Sequence, residues 1–326
     1  MRHFLRAAFA TGLVAFGLLA PPVAFAQTAA GKPIRIVVGF APGGANDILA
    51  RVIAQRFGES LGQTVIVDNR PGGTGVIASE IVAKSAPDGH TLLLGSTGAQ
   101  AILPTLQPKL PYDPVKDLLP VSMVGVAGTV LAVNPKMPAH SVRELVALAK
   151  AQPGKLSFAS SGNGSQQHLG GELFKLLAGV DMLHVPYKGN APALADVVSG
   201  QVDMMFSASA PALPLAKAGK LRIIGVSRPG YLSALTGAPT IADSGVPGYE
   251  VLTWYGVFVS GGTPPAIAER LATELKQAIH HPQSLEQFTA QGIEPETDTP
   301  AEFRRFVNDE ITKWAKVINA AKVRSE

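Results

Sequence analysis

Ile34-Arg35-Ile36-Val37-Val38-Gly39-Phe40-Ala41-Pro42-Gly43-Gly44-Ala45-Asn46-Asp47-Ile48-Leu49-Ala50-Arg51 reads as an apolar strand that runs through a Pro-Gly-Gly turn into an amphipathic helix. Pro42 ends the strand, Gly43 and Gly44 admit backbone angles closed to other residues, and Asn46 or Asp47 can cap the first helical turn. Where two successive residues lack side chains, a carboxylate can approach the backbone N–H groups, and the helix dipole favours negative charge there. The loop is a candidate carboxylate clamp, although a Gly-Gly after a strand is commonly only a tight βα turn. No Gly-Lys-Ser/Thr follows it and no G-x-G-x-x-G is formed, which argues against nucleotide binding.

Outward from this stretch the pattern repeats. Thr64 to Arg70 is a short strand, Pro71-Gly72-Gly73-Thr74-Gly75 a second glycine junction, and Val76 to Lys84 a helix. Pro87-Asp88-Gly89 supplies turn chemistry before the buried-type strand Thr91 to Leu94, which opens onto the polar junction Gly95 to Gln100. Strands alternating with helices predict a mostly parallel sheet whose loops gather at the carboxyl ends of the strands. Phe40 to Asp47 and Ser96 to Gln100 should therefore face each other.

The proline-rich segment Leu103 to Leu119 reads as irregular, and Pro120 to Val133 as a strand crossing between two lobes. Ser141 and Glu144 form a capping box for a helix ending near Ala151, which opens a second αβ series. In that series strand Leu156 to Ser160, loop Ser161 to Ser165 and helix Gln166 to Ala178 copy the opening element. Strand Met182 to Tyr187, loop Lys188-Gly189-Asn190, helix Ala191 to Ser199, strand Val202 to Phe206, loop Ser207 to Pro211 and strand Leu221 to Val226 follow. Glu250 to Val259 is an aromatic strand and the second crossing. Thr263-Pro264-Pro265 caps a helix from Ala266 to His280, and Phe303, Phe306, Val307, Ile311, Trp314, Val317 and Ile318 form the core stripe of a last helix.

At the amino end Arg2 and Arg6 precede the apolar run Ala7 to Ala20 and the small-residue pattern Ala24-Phe25-Ala26, which is the form of a secretory signal peptide cleaved after Ala26. The formal net charge of +4 falls by two when Arg2 and Arg6 are removed, and no basic run remains, so nucleic acid is not an expected partner. With no cysteine there are no disulfides, thiolate metal sites, thiol nucleophiles or lipoprotein anchor, and stability must come from packing. The remaining roughly 300 residues favour two lobes: residues 27–124 and 250–326 as one, 125–249 as the other.

The chain offers no hydrolase elbow, because Gly225-Val226-Ser227-Arg228-Pro229 has proline in place of the last glycine. His280 and His281 point apart on a helix, and His140, His168 and His184 show no metal-ligand spacing, so no metal, cofactor or catalytic group is expected. His168 follows a glycine loop and is retained as a ligand contact. Asp47 reads as a cap or first-turn acid, and alternatively as a selector that repels a second carboxylate and attracts an ammonium group. Tyr187-Lys188-Gly189 is either a strand end with a solvated lysine or part of the cleft edge. Asp203, at the amino end of its strand, reads as structural.

Gly39 to Asp47, Asn69-Arg70-Pro71-Gly72-Gly73, Val185-Pro186-Tyr187-Lys188-Gly189, Gly200-Gln201-Val202-Asp203 and Thr253-Trp254-Tyr255-Gly256, taken together and in order, resemble the Bug, or TctC-like, receptors. These are the extracytoplasmic solute-binding proteins of tripartite tricarboxylate transporters, and the resemblance covers essentially the whole mature chain. It implies an α/β fold of the two-lobe periplasmic binding protein kind, a type II-like Venus flytrap with two interlobe crossings. It also implies a monomer in the periplasm that hands a dicarboxylate, tricarboxylate, amino acid or aromatic acid to membrane subunits of such a transporter. The expected ligand contacts are Phe40, Pro42, Gly43, Gly44, Asn46 and Asp47 from the first junction and Ser96 and Thr97 from the third. The second series adds Ser160, Ser161, Gly162, Asn163 and His168, then Tyr187, Lys188 and Gly189, and lastly Ser207. One departure is Ala41, where many members carry a second proline. The competing reading is a secreted enzyme acting on a small carboxylate, for which only Asp47 with His168 or Lys188 supplies an acid-base pair.

Overall fold

The computed structural model describes residues 32–228 and 238–324. The signal-peptide reading of Met1 to Ala26 lies outside the described residues. The chain opens as β1 (Ile34–Val38), α1 (Ala45–Leu61), β2 (Val65–Asn69), α2 (Val76–Ala83) and β3 (Thr91–Ser96). β1 pairs in parallel with both β2 and β3, as alternating strands and helices require. Its residues Ile36, Val37 and Val38 are fully buried because helices and sheet cover both faces of a central parallel strand.

The segment expected to be irregular, Leu103 to Leu119, instead begins with α3 (Leu103–Leu106), which continues a helical turn at Gly98–Ile102. Pro104 is no obstacle, since first-turn amides have no intrahelical partner to lose. Then comes β4 (Leu118–Val133), followed by α4 (Val142–Ala151), β5 (Ser157–Ser160), α5 (Gln166–Ala178), β6 (Leu183–Pro186), α6 (Asn190–Ser199), β7 (Met204–Ala208), α7 (Ser209–Lys217) and β8 (Arg222–Val226). The return is β9 (Leu252–Ser260), α8 (Pro265–Ile279), α9 (Pro282–Ala290) and α10 (Pro300–Ala321).

The strands run in the order β2-β1-β3-β9-β4-β7-β5-β6, with β8 also on β4. β4 belongs to both wings of the sheet, the first made of β1, β2, β3 and β9 and the second of β5 to β8: Leu118 to Gly128 pairs antiparallel with β9, Thr129 to Val133 with β7, and Val130 to Val133 with β8. Its register slips between Pro120 and Ser122 and again between Met123 and Gly125. α10 packs on β4, on the 98–102 turn and on α5, and the expected stripe buries Phe303, Val307, Trp314, Val317 and Ile318. Both tryptophans of the chain donate to one buried oxygen of α10, Glu310 Oε2: Trp254 Nε1 at 3.1 Å and Trp314 Nε1 at 3.0 Å. Lys313 pairs with the same carboxylate.

Three helix starts differ from expectation. Ser141 accepts the Glu144 N–H, but Glu144 reaches back to the His140 amide, one residue before the cap. Pro264, not Thr263, is the N-cap of α8. α9 is an additional helix, started by the His281 side chain accepting the Gln283 N–H and by Pro282, whose missing donor costs nothing at that position. Asp203 is structural as expected, its carboxylate accepting from Ser157 N and Oγ at 2.7 and 2.9 Å.

Candidate functional site

The three junctions of the first wing converge through glycine. A Cβ at Gly39 would lie 2.6 Å from the Gly75 Cα, and one at Gly75 would lie 3.0 Å from the Ala99 Cβ. Only hydrogen at these positions lets the β1–α1, β2–α2 and β3 junctions touch. Asn69 joins them further, its Nδ2 donating to the Phe40 carbonyl at 3.1 Å and to Asp47 Oδ1 at 3.0 Å.

α1 starts on Gly44, which caps without a side-chain hydrogen bond. Neither Asn46 nor Asp47 is the N-cap; both sit inside the first turn. Ala41, Pro42, Gly43 and Gly44 are exposed, a Cβ at Gly43 would meet nothing within 4 Å, and one at Gly44 only the Ala41 carbonyl at 3.8 Å. Space in front of an uncapped helix start is what an approaching anion needs. Asn46 is 8% exposed, and its Nδ2 is buried with no acceptor among the described residues.

Asp47 lies behind this loop. It is 3% exposed; Oδ2 accepts from the Gly43 N–H at 2.9 Å and from Arg51 Nε at 3.0 Å, while Oδ1 takes Asn69. The Arg51 bond lowers its pKa most, burial opposes this, and the Gly43 and Asn69 bonds lower it further. A carboxyl depressed in the folded state stabilises above its ordinary pKa of about 4, and that gain is lost as pH falls through the folded value. Asp47→Asn turns one acceptor oxygen into a donor facing donors. We expect its melting temperature at pH 7 to fall by a few degrees, the difference from wild type closing as pH falls below the ordinary carboxylate range. The affinity ratio between an amino acid and its deaminated analogue should not move. A changed ratio at an unchanged melting temperature would instead restore the selector role.

The second wing gathers its loops in the same way. Ser160 ends β5; its carbonyl accepts the Tyr187 N–H at 3.0 Å, bringing the β5–α5 and β6–α6 junctions together. Gly162 is adjacent, 3.5 Å separating a Cβ there from the Tyr187 carbonyl. Ser161 Oγ donates to Gln167 Oε1 at 2.9 Å, and Ser165 caps α5 by accepting the His168 N–H. Asn163 and Lys188 are exposed, and Gly189 is the N-cap of α6. The Tyr187 hydroxyl is turned to Asp196 Oδ2 at 2.7 Å, and burial followed by that carboxylate pushes it up to about 12.

Two expected contacts stand apart. The Thr97 hydroxyl accepts the Trp254 N–H at 2.8 Å, which latches the third junction to β9. Ser207 is fully buried with its hydroxyl on the Ala208 carbonyl at 2.9 Å. Of the groups the enzyme reading would use, Asp47 bonds Gly43, Arg51 and Asn69, whereas His168 Nδ1 accepts the Gly164 N–H at 3.1 Å. Among the described residues no group of three or more metal-ligating side chains occurs, and no helix is long and apolar enough to cross a membrane.

Sequence reading misses Gln166, the first residue of α5. Its Oε1 accepts from Thr253 Oγ1 of β9 at 2.6 Å, and its Nε2 is buried with no acceptor among the described residues. The available signal is its position directly after the Ser165 cap. Asn69 and His184 are missed as well, because their partners lie in other junctions.

A family model described as the tripartite tricarboxylate transporter family receptor, TctC, matches residues 49–323. The chain is 40% identical to Protein BugT of Bordetella pertussis over 301 residues, which is 92% of this chain and 92% of BugT. Among solved structures it is similar to R. palustris Rpa4515 with adipate, at 35% identity and a TM-score of 0.72 over 90% of this chain and 99% of that one. It is also similar to MatC (Rpa3494) from Rhodopseudomonas palustris with bound malate, at 31% identity and a TM-score of 0.69 over 88% and 98%.

Proposed function

The chain belongs to the tripartite tricarboxylate transporter receptor family, and on that premise we propose that it is a periplasmic receptor capturing a small carboxylate between two lobes for delivery to such a transporter. The observation that carries this reading is the start of α1: a 17-residue helix opening on exposed Gly43 and Gly44, with no side-chain cap, beside an Asn46 amide that has no acceptor among the described residues. Phe40 to Asp47 and Ser160 to His168 contain no lysine or arginine, and the one acid among them, Asp47, has both oxygens engaged within its own wing. Neutral donors therefore hold the carboxylate: the α1 amides with Asn46 on one side, and the Ser160 to Ser165 loop at the start of α5 on the other. Such donors fit an anion without the desolvation cost of a buried cation.

β4 and β9 serve as the hinge between residues 27–124 with 250–326 and residues 125–249. The signal-type amino end supports export and cleavage near Ala26. Calorimetry against a panel that includes malate and adipate, the acids held by the two relatives, tests the reading. At least one aliphatic di- or tricarboxylate should bind without being consumed, and saturation should reduce the radius of gyration in small-angle scattering. Turnover of a bound acid would favour the enzyme; failure of every carboxylate would remove the clamp.

A further inference from the structure

Under the second-wing loop the structure stacks two imidazoles. The rings of His168 and His184 lie 3.7 Å apart, centroid to centroid, and 5° from parallel. Phe158 of β5 packs on His184 at 5.0 Å. His184 belongs to β6 and to neither loop, yet the two rings grip both arms of Ser160 to Ser165. His184 Nε2 is 2.6 Å from Ser160 Oγ, and that hydroxyl also meets the Gly162 N–H at 3.2 Å and the Gly162 carbonyl at 3.1 Å. On the other arm His168 Nδ1 accepts the Gly164 N–H at 3.1 Å.

A hydroxyl has one proton to give and two lone pairs to fill. All three Ser160 contacts are satisfied together when Gly162 N–H and His184 Nε2–H donate to Oγ and the hydroxyl proton goes to the Gly162 carbonyl. This assigns His184 the Nε2–H tautomer. The Gly164 bond does the same for His168, because a proton on Nδ1 would face an amide proton.

We propose that His184 is a positioning residue for the solute loop: stacked on His168, it holds the Ser160 and Gly164 arms in one fixed shape. The geometry stands by itself, and only the consequence for solute rests on the receptor reading above.

The charged groups facing the pair come from α5. Glu172 Oε1 is 3.9 Å from His168 Nε2 but is itself held by Lys175 at 3.0 Å. From β5 the neighbours are Phe158 and Ser160, which carry no charge. Burial first, then His184 and Lys175, lower the His168 pKa, and burial with Lys175 lowers that of His184 to about 4. Histidines depressed on folding stabilise above their ordinary value near 6.5, and that contribution is lost as pH falls toward the folded values. The brace is therefore intact at neutral pH and fails in acid.

Amide hydrogen exchange on the solute-free protein tests this. His184→Phe keeps a flat ring and deletes the donor; exchange at Gly162 should accelerate about tenfold or more while Gly164, still held by His168, and the α1 amides keep their rates. His184→Gln puts an amide nitrogen where Nε2 stood and should recover Gly162 protection without the stack. Ser160→Ala, which leaves both rings, should expose Gly162 alone and serves if His184→Phe does not fold. Unchanged exchange at Gly162 in folded His184→Phe or Ser160→Ala overturns the proposal, as does equal loss in the Phe and Gln variants. Malate and adipate titrations separate the two readings. If exchange responds as expected and wild type binds neither acid, the brace is upheld and the receptor reading for these acids falls. If a variant with an accelerated loop binds the acids as wild type does, the positioning role is overturned.

Discussion

Gly44→Val is expected to weaken carboxylate binding about tenfold to a hundredfold while the protein stays folded. The loss is that of one charge-assisted hydrogen bond, about 1.5 to 3 kcal/mol. Gly44 adopts φ −82° and ψ 170°, angles open to any residue, and a Cβ there would meet nothing nearer than the Ala41 carbonyl at 3.8 Å. Stability should therefore fall only by the poorer N-cap propensity of valine, about 1 kcal/mol, or a few degrees. The branched side chain then occupies the space through which an anion reaches the first-turn amides. Gly43 is a worse test site, since its φ of +87° strains any side chain whatever the space. Calorimetry with the tightest acid of the panel decides: full affinity in folded Gly44→Val removes the carboxylate clamp from α1.

The largest stability effect is expected at Glu310. It is 6% exposed and takes both indole N–H groups, so Glu310→Ala leaves two buried donors without their acceptor. Removing one member of a buried charged network costs about 3 to 5 kcal/mol. Glu310→Gln keeps a carbonyl oxygen in reach and should cost less than half as much. Urea unfolding followed by far-ultraviolet circular dichroism measures both, and equal midpoints for wild type and Glu310→Ala would show that packing alone holds α10 to β9.

What can be read from the sequence follows the range of the forces involved. β1, its Pro-Gly-Gly turn and α1 are legible because strand period, chain breakers and helix period act over a few residues. The core stripe of α10 is legible for the same reason. The start of α1 is not: local chemistry points to an acid or amide cap, whereas glycine takes the N-cap and Asp47 bonds outward, to a residue 22 positions away. The Thr97 latch joins residues 157 positions apart, and the imidazole stack exists only because β5 and β6 pair in parallel. α9 escapes detection because it is short and polar, its start being set by His281 and Pro282 instead of a conventional cap.

The tie of Trp254 and Trp314 to one carboxylate has a practical consequence. The chain has no other tryptophan, so all of its indole emission arises from one spot, where β9 meets α10. If β4 and β9 are the hinge proposed above, a change in the angle between the two lobes would alter the field and packing around both rings at once. On that proposal the protein carries its own unlabelled optical gauge, and a plate of candidate acids could be screened by intrinsic fluorescence alone.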